Sequence, residues 1–191
     1  MELLAVLFYS LNKVFFLLKE LAGLKADARA VRRWKMLAWA AGLIGLPFVV
    51  YILLSERDWI FGWLEMGAAP SMVLGILRAY SNTKRPMPKI VDNVFYTAIG
   101  AGFTWSYLDL GGLLSVNQGL EMVAVGTFVT GSYQLAKEDE DRNGYLLYML
   151  MFAVTGTLLF RQQHYWFALQ QVGSALVIGS AYYIAGKRKS C

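Results

Sequence analysis

The stretch MLAWAAGLIGLPFVVYILLS, residues 36–55, contains no charged side chain. A bilayer core about 30 Å thick requires roughly 20 mostly apolar residues from each helix that crosses it. Residues 143–160 and 162–186 are also free of Asp, Glu, Lys and Arg. A soluble domain has no need for three such stretches, so this pattern predicts helices that span a membrane.

The composition of the 191-residue chain agrees with that interpretation. Hydrophobic residues make up 57% of the sequence and charged residues only 16%, against about 25% charged in average proteins. Lys13 interrupts the first apolar segment, and a loop, KELAGLKADARAVRRWK (19–35), is expected before the second. We therefore expect an all-α integral membrane protein with seven transmembrane helices. The predicted spans are residues 2–19, 36–55, 59–80, 92–110, 115–136, 144–161 and 164–186.

The basic residues predict the orientation of these spans. If the N-terminus is outside, 15 of the 18 Lys and Arg residues fall in inner connections or in the inner tail. Arg57 and Arg161 fall outside, and Lys13 lies within a span. This bias is typical of membrane topology, so the net charge of +5 indicates a lipid bilayer as partner and gives no reason to expect nucleic acid. We expect an inner or plasma membrane protein with its C-terminus in the cytoplasm.

The chain divides at KRPMPK, residues 84–89, where two prolines mark a break. Three apolar segments precede the break and four follow it. We interpret this as a 3+1+3 arrangement, with a first three-helix unit over residues 1–85, a connecting helix over 86–112 and a second three-helix unit over 113–191. Three helices plus one connecting helix restore the starting side of the membrane, so the two units form a parallel repeat.

Two short alignments support the repeat. Glu65-Met66-Gly67 aligns with Gln171-Val172-Gly173 at a shift of 106 residues. MELLAV at the start of the chain aligns with LEMVAV, residues 120–125, at a shift of 119, which pairs Glu2 with Glu121. These alignments predict equivalent positions in the two units.

The second half resembles the PnuC-type vitamin transporters of the SWEET and PQ-loop-like group. The resemblance rests on SYQLAKEDEDRNGYLLYM, residues 132–149, followed by RQQHYWFALQQVGSALVIGSAYYIAGKRK, residues 161–189. It covers residues 92–189 better than the first half. PnuC relatives are implied to carry nicotinamide riboside or other vitamin precursors by facilitated diffusion, and SWEET relatives are implied to carry sugars.

Polar residues within the spans are candidates for binding a solute. Glu65 and Glu121 each lie about one and a half turns into a helix that runs inward, and Gln170 and Gln171 lie at a similar level of the last helix. Ionisable residues at such positions are costly and usually face the bundle interior or a wet cavity. They could bind the hydroxyl groups of a ribose or a sugar. The alternative is that they lie near the headgroups or join helices by hydrogen bonds.

Trp39 and Trp105 are candidates for stacking on a flat ring of the solute, with a cation–π contribution if that ring is cationic. Both lie deeper than Trp34, Trp59 and Trp166, which are near helix ends. The alternative is packing or membership of the aromatic belt at the membrane interface.

Enzymatic motifs are not evident in the sequence. His164 has no partner at a metal-ligand spacing, and neither a G-x-S-x-G nor a nucleotide-binding glycine motif occurs. We therefore expect a transporter for a small polar solute, without enzyme activity, metal or cofactor, which could form a homo-oligomer. The alternatives are a membrane accessory protein that transports nothing, and a SWEET-like sugar transporter.

Overall fold

The computed structural model describes residues 1–25, 27–81, 88–112, 115–136 and 143–188. This part of the chain is all helical, as predicted, and its helices follow the seven apolar segments closely. They are α1 (Glu2–Leu24), α2 (Ala28–Ser55), α3 (Trp59–Ser81), α4 (Lys89–Leu110), α5 (Val116–Ala136), α6 (Asn143–Arg161) and α7 (Tyr165–Arg188).

The connection between α1 and α2 is much shorter than the expected 17-residue loop, which was wrong. Helix α1 continues through Lys13 to Leu24, and α2 begins at Ala28. Asp27 caps α2, because its carboxylate accepts hydrogen bonds from the backbone N–H groups of Arg29 and Ala30 at 3.1 and 3.0 Å. Most of the polar residues between the first two apolar segments therefore belong to the C-terminal end of α1 or the N-terminal end of α2.

Three described helices, α2, α3 and α6, are long and apolar enough to cross a membrane. Large apolar side chains are also exposed on the outside of the bundle, for example Leu77 at 54% and Leu176 at 70%. Water is a poor environment for so much exposed apolar surface. The structure is thus compatible with membrane insertion, whereas the seven-span arrangement and its orientation stay predictions.

Six helices pack as a closed ring in the order α1, α2, α3, α5, α6, α7, with α7 returning to α1. The ring has an approximate twofold symmetry in which α1 corresponds to α5, α2 to α6 and α3 to α7. Each helix contact of the ring then has a counterpart: α1 with α2 corresponds to α5 with α6, α2 with α3 to α6 with α7, and α3 with α5 to α7 with α1. Helix α4 lies outside the ring against α3, where a Cβ atom on Gly67 would come within 2.6 Å of the Ala98 Cβ. This packing is compatible with two three-helix units and a connecting helix, and that division of the chain stays a prediction.

The turns between α2 and α3 and between α6 and α7 have the same structure; we call residues 55–59 and 161–165 the paired turns. Arg57 and Gln163 both have positive φ, at 62° and 67°. The backbone hydrogen bond from Asp58 N–H to Leu53 is matched, 106 residues later, by the bond from His164 N–H to Leu159. Three further backbone bonds match at the same shift. The geometry of the turns thus follows the alignment that pairs Glu65 with Gln171.

An apolar core fills the ring near the paired turns. It contains Leu53 and Ile60 from the first half and Leu159 and Phe167 from the second, all 2% exposed or less. Burial of such side chains contributes about 1.5–3 kcal/mol each, so this core joins the two halves at that end of the bundle.

Candidate functional site

A cavity of about 50 Å³ lies inside the ring, next to the apolar core. One water molecule needs about 10–15 Å³ of such space, so the cavity has room for a few water molecules. Helices α1, α2, α3, α5, α6 and α7 all contribute to its wall. Its lining residues are Tyr9, Lys13, Val49, Leu53, Phe61, Glu65, Phe128, Tyr148, Met151, Phe152, Thr155, Leu159, Phe167 and Gln171.

Five pairs of these lining residues occupy equivalent positions of the two alignments. Tyr9 and Phe128 are related by the shift of 119 residues. The shift of 106 relates Val49 to Thr155, Leu53 to Leu159, Phe61 to Phe167 and Glu65 to Gln171. The cavity therefore lies where the two halves meet, and ten of its fourteen lining residues fall in equivalent pairs.

Glu65 is bound to Tyr9 within the cavity wall. The Tyr9 hydroxyl donates a hydrogen bond of 2.6 Å to the Glu65 carboxylate, and the Tyr9 ring meets the edge of Phe167 with 6.4 Å between ring centroids. Helix α3 places Glu65 seven residues after Asp58, which corresponds to about 10 Å along the helix at 1.5 Å per residue. Glu65, which the sequence analysis proposed as a binding residue, thus faces the interior of the ring of six helices.

Lys13 supplies a positive charge to the same cavity. Its side chain donates a 3.1 Å hydrogen bond to the Asn12 side chain. The ammonium nitrogen lies 5.4 Å from the ring centroids of both Tyr9 and Phe152, within the range of a cation–π interaction. The residue that interrupts the apolar pattern of the first segment is therefore accommodated by facing the interior.

Thr155 and Gln171 provide neutral polar groups from the second half. The Thr155 hydroxyl is buried and has no hydrogen-bond partner among the residues that the structure describes. The Gln171 amide donates to Gln170 at 2.8 Å, and the Gln170 amide donates to Ser174 at 2.8 Å. Of the two predicted glutamines, Gln171 lines the cavity and Gln170 supports it from behind.

Glu121 lies outside the cavity lining, so the structure does not bring it together with Glu65. Its carboxylate accepts hydrogen bonds from the backbone N–H groups of Ile60 and Phe61 at 2.9 and 3.1 Å, and the residue is 1% exposed. Glu2 makes the equivalent contact in the other half, accepting a 3.1 Å bond from Phe167 N–H. Both carboxylates hold the start of a helix, where the helix dipole favours negative charge.

The two predicted tryptophans also lie away from the cavity. Trp39 packs between α1 and α3. Its ring centroid lies 5.3 Å from that of Phe16, and a Cβ atom added at Gly75 would lie 2.7 Å from atoms of the Trp39 ring. Trp105 is 51% exposed on α4 and contacts Trp59, with 5.9 Å between the rings. Their role in solute binding stays a prediction, and their positions favour packing.

Sequence reasoning missed Tyr9, Lys13 and Thr155. A signal was present for the first two, because residues four apart lie on the same face of a helix. Because the first segment was predicted as a helix, Tyr9 and Lys13 could have been placed on one face of it from the sequence alone. Thr155 had no such signal, since a single threonine in an apolar helix commonly bonds to its own backbone.

Comparisons with known proteins give no match: no protein-family model, no curated protein and no solved structure matches the sequence. The resemblance to the PnuC and SWEET transporters therefore stays a prediction from the sequence.

Proposed function

We propose that this chain is a membrane carrier that moves a small polar solute, vitamin-like or nucleoside-like, by alternating access. The observation that carries the proposal is the cavity between the two halves, lined at equivalent positions of each. Carriers built from repeats place their solute site at the interface of the repeats, and the repeats rock about that site.

The chemistry of the cavity supports a solute with a flat ring and several hydroxyl groups. Phe61, Phe167 and Phe128 give apolar faces from both halves, and aromatic rings stack on flat rings with offset or edge geometry. The carboxylate of Glu65 accepts hydrogen bonds, and the unpartnered hydroxyl of Thr155 can donate or accept one. A riboside such as nicotinamide riboside combines these features.

The size of the cavity indicates an occluded conformation. About 50 Å³ is too small for a nucleoside, so binding requires the two halves to separate at one end of the bundle. Helix packing favours such movement, because the main helix–helix contacts between the halves are α1 with α7 and α3 with α5. We place the carrier in an inner or plasma membrane with the paired turns outside, and uptake against a gradient would need trapping of the solute inside.

A binding and uptake experiment tests the proposal. Purified protein is screened by thermal shift against nicotinamide riboside, nucleosides, other vitamin precursors and sugars, and any stabilising solute is then used in proteoliposome uptake. We expect Glu65→Gln to lower uptake at least tenfold, because a neutral amide replaces a buried charged acceptor worth about 1.5–3 kcal/mol. Glu20→Gln is the control, since Glu20 pairs with Lys19 away from the cavity.

Each outcome has a meaning. Stabilisation and uptake of sugars alone would favour the SWEET-like alternative. Absence of binding and uptake across the whole panel would contradict the carrier and favour an accessory protein. Equal loss of uptake in Glu65→Gln and Glu20→Gln would remove the assignment of the site.

A further inference from the structure

The paired turns touch each other across the boundary between the two halves. The Gln162 amide nitrogen donates hydrogen bonds of 2.8 and 2.7 Å to the two carboxylate oxygens of Asp58. His164 lies 3.2 Å from the Glu56 carboxylate. At the shift of 106 residues Asp58 is equivalent to His164 and Glu56 to Gln162, so the two contacts are copies of one another. Reciprocal contacts of this kind are the mark of a twofold interface.

The Asp58–Gln162 contact is incomplete. The Gln162 side-chain oxygen is buried without a hydrogen-bond partner, and Asp58 is 2% exposed. An ionised carboxylate offers no proton, so it cannot satisfy an amide oxygen. A protonated carboxyl group can donate from one oxygen to the Gln162 amide oxygen while its other oxygen accepts from the amide nitrogen. This exchanges one of the two observed bonds from the nitrogen for an O–H···O bond, and both groups of the Gln162 amide are then satisfied.

The charges around Asp58 favour the protonated form. Glu56 lies on the same turn, Glu2 from α1 lies 3.7 Å from His164, and Glu121 faces this end from α5. The neighbouring cations are engaged elsewhere, since Arg57 pairs with Asp109 at 2.8 Å and Arg161 donates to Asn117.

Burial, with the negative charge of Glu56, raises the pKa of the Asp58 carboxyl from 3.8 to about 7, although the Gln162 hydrogen bond and His164 act in the opposite direction. Separation of the turns would expose Asp58 to water and return its pKa to about 3.9.

We propose that the paired turns form a proton-operated latch, which holds the two halves together at this end of the bundle in acid and releases them in alkali. Protonation of Asp58 completes its pair with Gln162. The latch depends on the proposed carrier only for its effect on uptake.

The sign of the pH dependence follows from linkage. The closed form binds the Asp58 proton more tightly than the open form, so lowering the pH favours closure. The effect begins as pH falls through about 7 and is complete below about 4, where Asp58 is protonated in both forms. Asp58 alone should lower the ratio of open to closed molecules about 30-fold between pH 8.5 and pH 5.5.

The test measures the distance between the turns directly. Spin labels are placed at Ser55→Cys and Arg161→Cys, two exposed and equivalent positions, in a chain with Cys191→Ser and reconstituted in lipid nanodiscs. Pulsed electron double resonance should show one short distance at pH 5.5. A longer or broader distribution should grow in between pH 6 and pH 8.5.

The variants isolate the Asp58–Gln162 contact from the His164–Glu56 contact. In a His164→Gln background, Asp58→Asn should keep the short distance at every pH, because an amide cannot ionise. Glu20→Gln, a carboxylate variant whose pairing with Lys19 lies away from the paired turns, should keep the pH response. Gln162→Leu should shift the population toward the long distance at both pH values, which provides a second arm if Asp58→Asn does not fold.

A distance that does not change between pH 5.5 and 8.5 overturns the latch. The same conclusion follows if His164→Gln with Asp58→Asn retains the full pH response of His164→Gln alone. Because this readout needs no solute, a failed latch and a failed carrier give different results.

Discussion

At the residue scale, Thr155 is the side chain whose burial most needs a reason. Its hydroxyl lines the cavity, is buried and has no partner, and an unsatisfied buried hydroxyl costs about 1–3 kcal/mol. We predict that Thr155→Val raises the free energy of unfolding by about 1 kcal/mol, while solute uptake falls. Thermal denaturation and proteoliposome uptake measure the two effects.

Thr157→Val is the matched control on the same helix. Thr157 is exposed and its hydroxyl donates to the Ala153 carbonyl at 2.9 Å. Its replacement should change neither stability nor uptake appreciably. Loss of stability in Thr155→Val would show that the hydroxyl has a partner in the folded protein and would weaken its assignment to the site.

A second prediction at this scale concerns Glu121. Its carboxylate satisfies two backbone N–H groups at the start of α3, and loss of such a cap costs about 0.5–2 kcal/mol. We predict that Glu121→Ala lowers the free energy of unfolding by about 0.5–2 kcal/mol or more. The Glu121→Gln variant retains an acceptor, so its free energy of unfolding should fall by less. Chemical denaturation compares the variants. Equal stability of all three proteins would contradict the capping role.

The sequence predicted the polar residues of the site better than it predicted their partners. Glu65 and Gln171 were predicted as binding residues, and their pairing by the shift of 106 residues is matched by the geometry of the turns. Glu121 was found by the same reasoning, but its carboxylate is bound to backbone groups of α3. A single sequence shows that an acid is buried in a helix; it does not show which neighbouring helix supplies the hydrogen bonds.

At the element scale, the two halves differ in how α3 and α7 are covered. A Cβ atom on Gly67 would lie 2.6 Å from the Ala98 side chain of α4, whereas the equivalent Gly173 on α7 has no atom within 4 Å. We predict that Gly67→Ala lowers stability by about 1–3 kcal/mol through overpacking. Gly173→Ala should be neutral or stabilising by up to about 1 kcal/mol, since alanine is the better helix former.

These two substitutions form a matched pair at equivalent positions, and unfolding in denaturant measures both. A loss of stability in Gly173→Ala as large as that in Gly67→Ala would mean that α7 is covered in the same way as α3. Equal tolerance at both positions would show that α4 packs less closely than described.

Helix positions were predictable because apolar length is a local property. The seven predicted segments agree with the seven described helices, apart from the ends of α1 and α2. Those ends extend into the basic sequence because Asp27 provides a cap and charged residues are good helix formers outside the apolar span. The packing order of the helices was not predictable in this way, since it depends on contacts between residues far apart in sequence.

At the scale of the whole molecule, the distribution of Lys and Arg predicts the orientation in the membrane. We predict that a membrane-impermeant maleimide labels Gln163→Cys in intact cells, in a chain with Cys191→Ser. The native Cys191 should be labelled only after the membrane is permeabilised, because the positive-inside pattern predicts a cytoplasmic C-terminus. Gel-shift labelling measures both.

The opposite pattern of labelling would invert the topology and place the paired turns in the cytoplasm. The latch would then respond to cytoplasmic pH.

Closure of the ring by α1 and α7 has a consequence for biogenesis. Helix α1 is synthesised before α7, against which it packs, and Phe152, one of the aromatic neighbours of Lys13, lies on α6. If the helices insert into a membrane in chain order, Lys13 enters it before this neighbour has been synthesised. A chain truncated before α6 would leave Lys13 without the Phe152 ring.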